Sequence, residues 1–453
     1  MNIHFIAIGG SAMHNLALAL HAKGETITGS DDAIFEPSLT RLKNAGLLPN
    51  ILGWHPEKIS TSLDAVVLGM HAKEDNPELL RAKELGIKIY SYPEFLYEQG
   101  KDKTRVVIGG SHGKTSITSM VLHVLNYCDK PTDYMVGAQL EGFDRMVSIE
   151  SENEFFLIEG DEYLSSPIDR RPKFHLYNPN IAVISGIAWD HINVFPTFDS
   201  YVEQFRIFIS KITPGGILIY NEQDEVVKTI VEQSTNPIRK IPYKVPDYNI
   251  KNGITYLNTG HGDLPLAVFG EHNLSNLAAA KWVCQCMGVD EADFYEAIVS
   301  FKGASKRLEL VARNQTSTIF KDFAHAPSKV KATTAAVKNQ FQGVNFIACL
   351  ELHTYSSLNP EFLVQYSGAL ELADTAVVFY DLEALKIKGM TKVSPEDIKK
   401  AFDRTDLIVF TTAEEFRTFI AELPLESQKA VLLLMSSGNY GAIDFANLKS
   451  RLT

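Results

Sequence analysis

The stretch from residue 109 to residue 116 has the composition of a phosphate-binding loop. It reads Gly-Gly-Ser-His-Gly-Lys-Thr-Ser and lies between an apolar run and a stretch with helical periodicity. A glycine turn between a strand and a helix presents backbone N–H groups and the positive end of the helix dipole to an anion. Lys114 would reach the β and γ phosphates of a nucleotide, and the Thr115 hydroxyl would bind Mg²⁺. The strict motif needs glycine where this chain has Ile108, so the loop is a compact variant. An ordinary turn rich in glycine and serine is the alternative.

Polar residues that suit a metal site follow two further apolar runs. Glu159 comes after the run 155–158, and His191 comes after the run 181–185. In open α/β sheets, ligands bind at the carboxyl ends of the strands. A carboxylate and a neutral imidazole there could complete a Mg²⁺ shell, although imidazole is a less usual ligand. The alternative is a solvated loop acid and a locally hydrogen-bonded histidine.

A second glycine turn, Gly9-Gly10, follows the first apolar run, with Asp31 placed as the acid that would bind a ribose. The dinucleotide fingerprint G-x-G-x-x-G would need glycine at two positions that are Ile8 and Met13 here. This spacing argues against NAD. It still suits a nucleoside diphosphate at a helix N-terminus, such as a UDP-type ligand.

Several polar residues in the second half of the chain have side chains that suit a nucleotide. They are His272, Asn273, Asn276, Arg307, Asp322 and His325. Helix capping and salt bridges are the alternative roles for these residues. The histidines include no H-E-x-x-H pattern and no Cys/His cluster, which argues against a zinc site.

These residues need a scaffold of alternating strands and helices, and the sequence supplies that alternation in three segments. We predict domains at residues 1–100, 101–302 and 303–453. Strands are predicted at 3–8, 65–69, 106–108, 155–158, 181–185, 216–220, 318–320, 346–350, 376–379, 407–410 and 431–435. Helices are predicted at 13–22, after Lys114 and at 274–287. This order is typical of α/β proteins with parallel sheets.

Composition narrows the class of protein further. The 453 residues carry a net charge of −12 and are 45% hydrophobic, which is ordinary for a compact globular chain. We therefore expect no nucleic-acid partner. The four cysteines show no C-x-x-C pairing and are predicted to be reduced core residues. The chain begins without a basic leader, and no apolar run approaches the roughly 18 residues that span a bilayer. We expect a cytoplasmic protein without membrane insertion.

Taken in order, these stretches resemble the Mur ligase family, the ATP-dependent amide-bond-forming enzymes that assemble the peptide stem of peptidoglycan. The resemblance covers essentially the whole chain. It rests on Ile8-Gly-Gly-Ser with Gly29-Ser-Asp31, Gly110-Ser-His-Gly-Lys-Thr115, Glu159-Gly-Asp-Glu162, Asp190-His191, His272-Asn273 with Asn276, and Asp322-Phe-Ala-His325-Ala-Pro327. Several motifs in the order found in the family identify that family far more specifically than any single motif does.

Within the family, the chain is most similar to the branch that acts on UDP-N-acetylmuramate. The run 162–179 favours the members that add the tripeptide L-alanyl-γ-D-glutamyl-meso-diaminopimelate, and L-alanine is the alternative amine. The stretch 201–205 lacks the lysine that other branches carbamylate, which also favours this branch. Ser185-Gly186 and Ala188 depart from the family pattern, so a nucleotide-sugar-binding protein without ligase activity is a further alternative. A phosphotransferase or plain ATPase would use the same loop.

The resemblance implies a three-domain fold: an N-terminal Rossmann-like UDP-binding domain, a central P-loop ATPase domain and a C-terminal Rossmann-like domain that binds the amine. It implies ATP and Mg²⁺ as cofactors and a monomer or weak dimer. The implied catalytic residues are Lys114, Glu159 and His191, and the implied Mg²⁺ ligands are Thr115, Glu159 and His191. The implied ATP contacts are Gly110, Ser111, His112, Gly113, Lys114, Thr115, Ser116, His272, Asn273, Asn276, Arg307 and Asp322. The implied substrate contacts are Ser11, Ser30, Asp31, His71, Asn76 and His325.

Overall fold

The computed structural model describes the chain except for residues 139–142, 144, 190–193, 261, 305–306, 383–384, 386–392, 427 and 453. The chain divides into two compact units. The first unit is Met1–Ile187 with Phe198–Tyr243 and Ala279–Glu291, and the second is Ala188–Thr197 with Lys244–Ala278 and Ala292–Thr453.

The first part of the first unit is a four-stranded parallel sheet with helices between its strands. Its strands are β1 (Asn2–Ile6), β2 (Thr26–Ser30), β3 (Ala65–Leu68) and β4 (Ile89–Ser91), in the order β2-β1-β3-β4. Its helices are α1 (Ser11–Ala22), α2 (Ser38–Asn44), α3 (Pro77–Glu84) and α4 (Tyr92–Gly100). The Ser91 and Glu94 side chains form a capping box that fixes the start of α4.

A seven-stranded sheet follows in the first unit, in the order β11-β10-β9-β5-β8-β6-β7. Its strands are β5 (Thr104–Gly109), β6 (Asp133–Met135), β7 (Val147–Ser148), β8 (Phe155–Glu159), β9 (Ile181–Ile184), β10 (Ile217–Asn221) and β11 (Arg239–Tyr243). Its helices are α5 (Lys114–Tyr127), α6 (Phe198–Ser210) and α7 (Glu225–Gln233). All strand pairs are parallel except β6 with β7. Because β5 lies between β8 and β9, the carboxyl ends of these three strands are neighbours.

The second unit contains a three-stranded antiparallel sheet that the sequence analysis does not predict. Its strands are β12 (Tyr248–Lys251), β13 (Ile254–Thr259) and β14 (Gly262–Leu266). Asn252 and Gly253 join the first two strands, with φ values of 53° and 73°. Two successive residues with positive φ are typical of a type I′ hairpin turn.

The larger sheet of the second unit has six strands in the order β15-β16-β20-β17-β18-β19, all parallel except β15 with β16. Its strands are β15 (Glu309–Arg313), β16 (Ser317–Asp322), β17 (Asn345–Glu351), β18 (Thr375–Phe379), β19 (Ile408–Phe410) and β20 (Ala430–Met435). The remaining helices are α8 (Glu271–Cys286), α9 (Glu291–Ile298), α10 (Pro327–Gln340), α11 (Pro360–Leu363), α12 (Pro395–Ala401), α13 (Ala413–Glu422) and α14 (Phe445–Ser450), of which α8 and α9 have residues in both units. Alternate β20 side chains join two separate apolar cores, as a strand buried on both faces requires.

The predicted α/β class with parallel sheets is confirmed, and every apolar run predicted as a strand overlaps a strand. The helix predicted after Lys114 is α5, and its apolar residues Ile117, Met120, Val121, Val124 and Leu125 are buried on one face. The domain limits near residues 100 and 302 stay predictions. All four cysteines are free, and Cys284 and Cys349 are buried. Across the residues that the structure describes, no helix is long and apolar enough to cross a membrane.

Candidate nucleotide-binding and catalytic site

The predicted phosphate loop connects the end of β5 to the start of α5. Gly110 and Gly113 have φ values of 132° and 82°, which L side chains rarely adopt. A Cβ atom on Gly110 would overlap the Ser185 hydroxyl and lie 2.9 Å from the Ser185 nitrogen. The Ser185 hydroxyl donates a hydrogen bond to the His112 carbonyl, and the Ser111 N–H donates to the Gly186 carbonyl over 2.9 Å. Ser185 and Gly186, which differ from the family pattern, therefore pack against this loop.

Lys114 is the first residue of α5, and its ammonium lies among buried acceptors. Its Nζ atom donates to the Gly110 carbonyl over 2.8 Å and to Glu162 Oε2 over 2.7 Å. Burial alone would favour the neutral amine, but the charges of Glu162, Asp161 and Glu159 outweigh it and raise the pKa of Lys114. The lysine is thus a buried cation at neutral pH, as a phosphate ligand must be.

Glu159 ends strand β8 and lies directly beside Thr115. Glu159 Oε1 accepts from the Thr115 hydroxyl over 2.7 Å, and Oε2 accepts from the Gly137 N–H over 2.8 Å. Burial and the neighbouring Asp161 raise the pKa of Glu159, while the two hydrogen bonds and Lys114 oppose this shift. A buried carboxylate with a raised pKa is better stabilised by a cation than by its present neighbours alone.

The donor set at this point fits Mg²⁺. Thr115 and Glu159 supply hard oxygen atoms that already face each other, and Mg²⁺ usually takes one or two protein ligands besides water and phosphate oxygens. Within the described ranges, no group of three or more His, Cys, Asp or Glu residues could hold a metal by itself. Asp190 and His191, the latter predicted as a third ligand, lie outside the described residues.

Glu162 and Tyr201 belong to the same cluster, although no role is predicted for either from the sequence. Tyr201, on α6, is fully buried, and its hydroxyl lies 2.8 Å from Ser111 Oγ and 3.2 Å from Glu162 Oε1. Glu162 could have been suspected because it lies in the same motif as Glu159. Nothing local in the sequence marks Tyr201, since the contact with Ser111 spans 90 positions.

The residues predicted to contact a UDP-sugar lie around the first glycine turn, in different settings. The Gly9 N–H donates to Asp31 Oδ2 over 2.7 Å, and the Ala7 N–H donates to the Ser30 carbonyl over 2.9 Å. Burial, with a smaller contribution from Asp32, raises the pKa of Asp31 against the Gly9 hydrogen bond. The end of β2 therefore fixes the shape of this turn.

The remaining predicted residues of the first unit divide into exposed and structural positions. Ser11 and His71 are exposed. Asn76 is the N-cap of α3, because its Oδ1 accepts the backbone N–H groups of Glu78 and Leu79. Ser116 is buried and His112 is half-buried. The roles predicted for these residues stay predictions.

In the second unit, several predicted residues gather near the start of α8 and the end of β16. Asp322 is buried and accepts from the Thr333 hydroxyl over 2.7 Å. Burial lowers the pKa of His272, although the nearby Asp322 opposes this shift. The Asn273 amide donates to the Phe269 carbonyl over 2.9 Å instead of capping the helix, and Asn276 is buried.

Two further predicted residues of the second unit contact Phe323, which directly follows β16. The Arg307 guanidinium lies over the Phe323 ring, 4.7 Å from its centroid. His325 Nδ1 is 2.8 Å from the Phe323 carbonyl and donates to it. These contacts hold both side chains in place, and their predicted ligand roles stay predictions.

A turn after β20 was not anticipated from the sequence. Tyr440, Gly441 and Ala442 have φ values of 57°, 64° and 58°, so three successive residues are left-handed. Glu351, at the end of β17, accepts from the Ser436 hydroxyl and, over 2.7 Å, from the Tyr440 N–H. The buried carboxylate therefore holds the turn at the carboxyl edge of the sheet.

A glycine loop on a central parallel strand, with a lysine, a threonine and a buried carboxylate, defines a nucleotide-binding protein of the phosphate-loop type. The model described as "Mur ligase family, catalytic domain" matches residues 2–104, and the model "Mur ligase middle domain" matches residues 108–284. A UDP-N-acetylmuramate–L-alanine ligase of Sulfurihydrogenibium sp. (strain YO3AOP1) is 32% identical over 383 residues, 83% of this chain and 82% of that protein.

Two solved structures show the same fold over the whole chain. A murein peptide ligase from Psychrobacter arcticus 273-4 is 22% identical, with a TM-score of 0.65 and coverage of 100% of this chain and 98% of that one. A UDP-N-acetylmuramate–alanine ligase from Thermotoga maritima is 20% identical, with a TM-score of 0.70 and the same coverage. The chain belongs to the Mur ligase family. It is an ATP-dependent ligase that forms carbon–nitrogen bonds, as the resemblance implied.

Proposed function

We propose that this ligase joins the carboxylate of UDP-N-acetylmuramate to the amine of L-alanyl-γ-D-glutamyl-meso-diaminopimelate, in peptidoglycan recycling or biosynthesis in the cytoplasm. The observation that supports the ligase activity is the cluster around the phosphate loop, where the Lys114 ammonium binds Glu162 and the Thr115 hydroxyl donates to Glu159. In the proposed reaction the muramate carboxylate attacks the γ-phosphate of ATP, which releases ADP and gives an acyl phosphate. The amine then attacks the acyl carbon, loses a proton and expels inorganic phosphate, which leaves the amide.

The residues of the cluster have separate tasks in this reaction. The Lys114 ammonium, oriented by Glu162, contacts the β and γ phosphates and neutralises developing charge there. Glu159 and the Thr115 hydroxyl hold Mg²⁺, which when bound supplies further charge stabilisation on the phosphate oxygens. The Gly9-to-Asp31 contact keeps the first glycine turn in the shape that we propose for the UDP-sugar. The ATP contacts proposed for the second unit are His272, Asn273, Asn276, Arg307 and Asp322.

The run 162–179 supports the tripeptide as the amine substrate, and it folds as a hairpin-like loop. Leu164 pairs with Pro172 in an isolated bridge, and the Lys173 ammonium lies 5.9 Å from the Tyr163 ring centroid. Arg171 binds Asp169 through two nitrogens over 2.6 to 3.1 Å. This run contains the residues that resemble the tripeptide-adding members.

L-alanine is the second candidate amine, and a specific observation favours it. The curated relatives that match at about one third identity carry the name UDP-N-acetylmuramate–L-alanine ligase, and one of them aligns over 97% of this chain. The two candidates share the activated carboxylate and differ only in the nucleophile.

The deciding experiment measures phosphate release from ATP with UDP-N-acetylmuramate present and compares the tripeptide with L-alanine as the amine. We expect release with the tripeptide and a coupled product of matching mass. Release with L-alanine alone would assign the chain to the first amino-acid addition instead. Release without any amine would indicate a plain ATPase, and binding of the UDP-sugar without turnover would indicate a protein that has lost catalysis.

Lys114→Ala is the control for the site. We expect it to abolish amine-dependent phosphate release while the circular dichroism spectrum stays unchanged. Full activity in this variant would contradict the assignment of the loop.

A further inference from the structure

A continuous hydrogen-bonded chain connects helix α6 to the phosphate loop. Tyr201 is fully buried, and its hydroxyl contacts Ser111 Oγ at 2.8 Å and Glu162 Oε1 at 3.2 Å. The other carboxylate oxygen of Glu162 binds the Lys114 ammonium at 2.7 Å. Three groups that belong to different elements, and are up to 90 positions apart in the sequence, are thus linked through one hydroxyl.

The direction of the protons in this chain follows from the chemistry of its members. A carboxylate paired with an ammonium ion only accepts hydrogen bonds, so the Tyr201 hydroxyl donates its proton to Glu162. The same hydroxyl must then accept from Ser111, whose hydroxyl is the donor. The Ser111 N–H already donates to the Gly186 carbonyl over 2.9 Å. The Ser111 hydroxyl therefore donates to Tyr201 and the Ser111 N–H donates to Gly186. These two bonds fix the first half of the loop.

The ring of Tyr201 is held independently of its hydroxyl. It packs against Phe205 in an edge-to-face arrangement with centroids 5.3 Å apart, on the same helix. The hydroxyl is thus delivered to the loop by a rigid aromatic side chain. Removing it without removing the ring leaves the packing of α6 in place.

We infer that Tyr201 is a positioning residue for the phosphate loop, acting through Ser111 and through the Glu162 carboxylate that orients Lys114. It does not touch the nucleotide itself, and its effect is on how well the loop is arranged before the nucleotide binds. This inference rests on the proposed ATP site.

The test is a double-mutant cycle of Tyr201→Phe, Ser111→Ala and the two combined, read by calorimetric binding of the non-hydrolysable ATP analogue AMP-PNP. We expect Tyr201→Phe to weaken binding roughly fivefold to tenfold, because a buried carboxylate loses one of its donors. Ser111→Ala should weaken binding at least twofold and by no more than Tyr201→Phe does. The double variant should be no weaker than Tyr201→Phe, since both changes break the same link.

Steady-state kinetics give a second measure of a positioning role. The KM for ATP should rise by the same factor as the dissociation constant, while kcat changes less than about threefold and the KM for the UDP-sugar stays constant. A general loss of structure would lower kcat and raise both KM values together.

Tyr177→Phe is the matched control, because the Tyr177 hydroxyl is also buried in the first unit and makes no hydrogen bond within the described part of the chain. It should bind the analogue as the wild type does. If Tyr201→Phe also binds like the wild type, or if the effects of the two single variants multiply, the inference is wrong. Should Tyr201→Phe fail to fold, Ser111→Ala tests the same link, and wild-type binding by it would overturn the inference.

The two proposals fail in different ways. A wild-type protein that binds AMP-PNP but joins no amine would contradict the proposed ligase reaction, while the cycle would still decide the role of Tyr201. A wild-type protein that does not bind AMP-PNP would overturn both.

Discussion

Glu159 is buried beside Asp161, and this has a measurable cost in the absence of ligand. Its pKa is raised by burial and by Asp161, in spite of hydrogen bonds from Thr115 and Gly137. A carboxyl whose pKa is higher in the folded than in the unfolded protein destabilises the fold once the pH rises above the unfolded value of about 4.3. The site thus stores part of the free energy that a bound cation would release.

Glu159→Gln tests this at the level of one residue. Glutamine has no proton to lose, and its amide can accept from Gly137 and donate to Thr115. We therefore expect the ligand-free variant to melt a few degrees above the wild type at pH 8, because the raised pKa of Glu159 costs stability once the pH exceeds the unfolded value, with little difference at pH 4. Its Mg²⁺-dependent turnover should be lost.

The control for this prediction is Glu154→Gln, an exposed glutamate just before β8. It should leave both the melting temperature and turnover unchanged. A lower melting temperature for Glu159→Gln at pH 8 would show that the charged carboxylate stabilises the unliganded site instead.

Several residues of the cluster could be predicted individually from the sequence, but the contacts between them could not. Lys114, Thr115 and Glu159 follow from their position after strands, and the structure places Thr115 against Glu159. Glu162 and Tyr201 were not predicted, because their roles come from partners 48 and 90 positions away. The type of a residue does not by itself predict a contact with a residue so far away in the sequence.

Among the elements, strand β20 has a particular role in the second unit because it lies between β16 and β17. The register pairs Met435 with Asp322 on one side and with Leu350 on the other. The carboxyl ends of the three strands therefore bring Asp322, Glu351 and the following left-handed turn to one edge. The turn has an unfavourable backbone conformation, and Glu351 accepts the N–H groups of Tyr440 and Gly441 in it.

Glu351→Gln should loosen this turn. The amide keeps one acceptor oxygen but loses the charge that strengthens the bonds from Ser436 and Tyr440. We expect amide hydrogen exchange at Tyr440 and Gly441 to accelerate on the order of tenfold, while exchange in β20 stays slow.

Glu422→Gln, at the exposed end of α13, is the matched control and should change no exchange rate near the turn. Unchanged protection of Tyr440 and Gly441 in Glu351→Gln would mean that the backbone alone maintains the left-handed turn.

The buried central strands were predictable, whereas short or partly exposed strands such as β4, β11 and β15 were not. Buried parallel strands appear as short apolar runs, and all such runs form strands. The antiparallel sheet β12-β13-β14 was missed because its strands are mixed and partly exposed, so they lack that pattern. The dipeptide Asn252-Gly253 is a strong hairpin signal and could have revealed it.

Across the whole molecule, the net charge of −12 disfavours binding to polyanions such as DNA or heparin. Lys114, the cation of the phosphate loop, is largely buried and paired with the Glu162 carboxylate, so it contributes little to an exposed basic surface. The chain should therefore gain no affinity for a phosphate backbone by releasing counterions.

This predicts no retention on a heparin column at about 0.15 M salt, and no shift of duplex DNA in a gel at micromolar protein. An arginine-rich DNA-binding domain run in parallel is the positive control. Retention on heparin that weakens with added salt would reveal a basic surface that the overall charge does not indicate.

The sequence by itself determined the α/β class, the position of the phosphate loop and the family resemblance. These depend on local signals, namely apolar runs, helical spacing and short motifs, which a chain carries regardless of how its elements are arranged. The tertiary structure decided which side chains meet. Lys114 is paired with Glu162, Thr115 with Glu159, and Ser111 with Tyr201, because β5 lies between β8 and β9 in the sheet and α6 packs within the same unit. Strand order brings residues together that are far apart in sequence, and no periodicity or spacing along the chain encodes it.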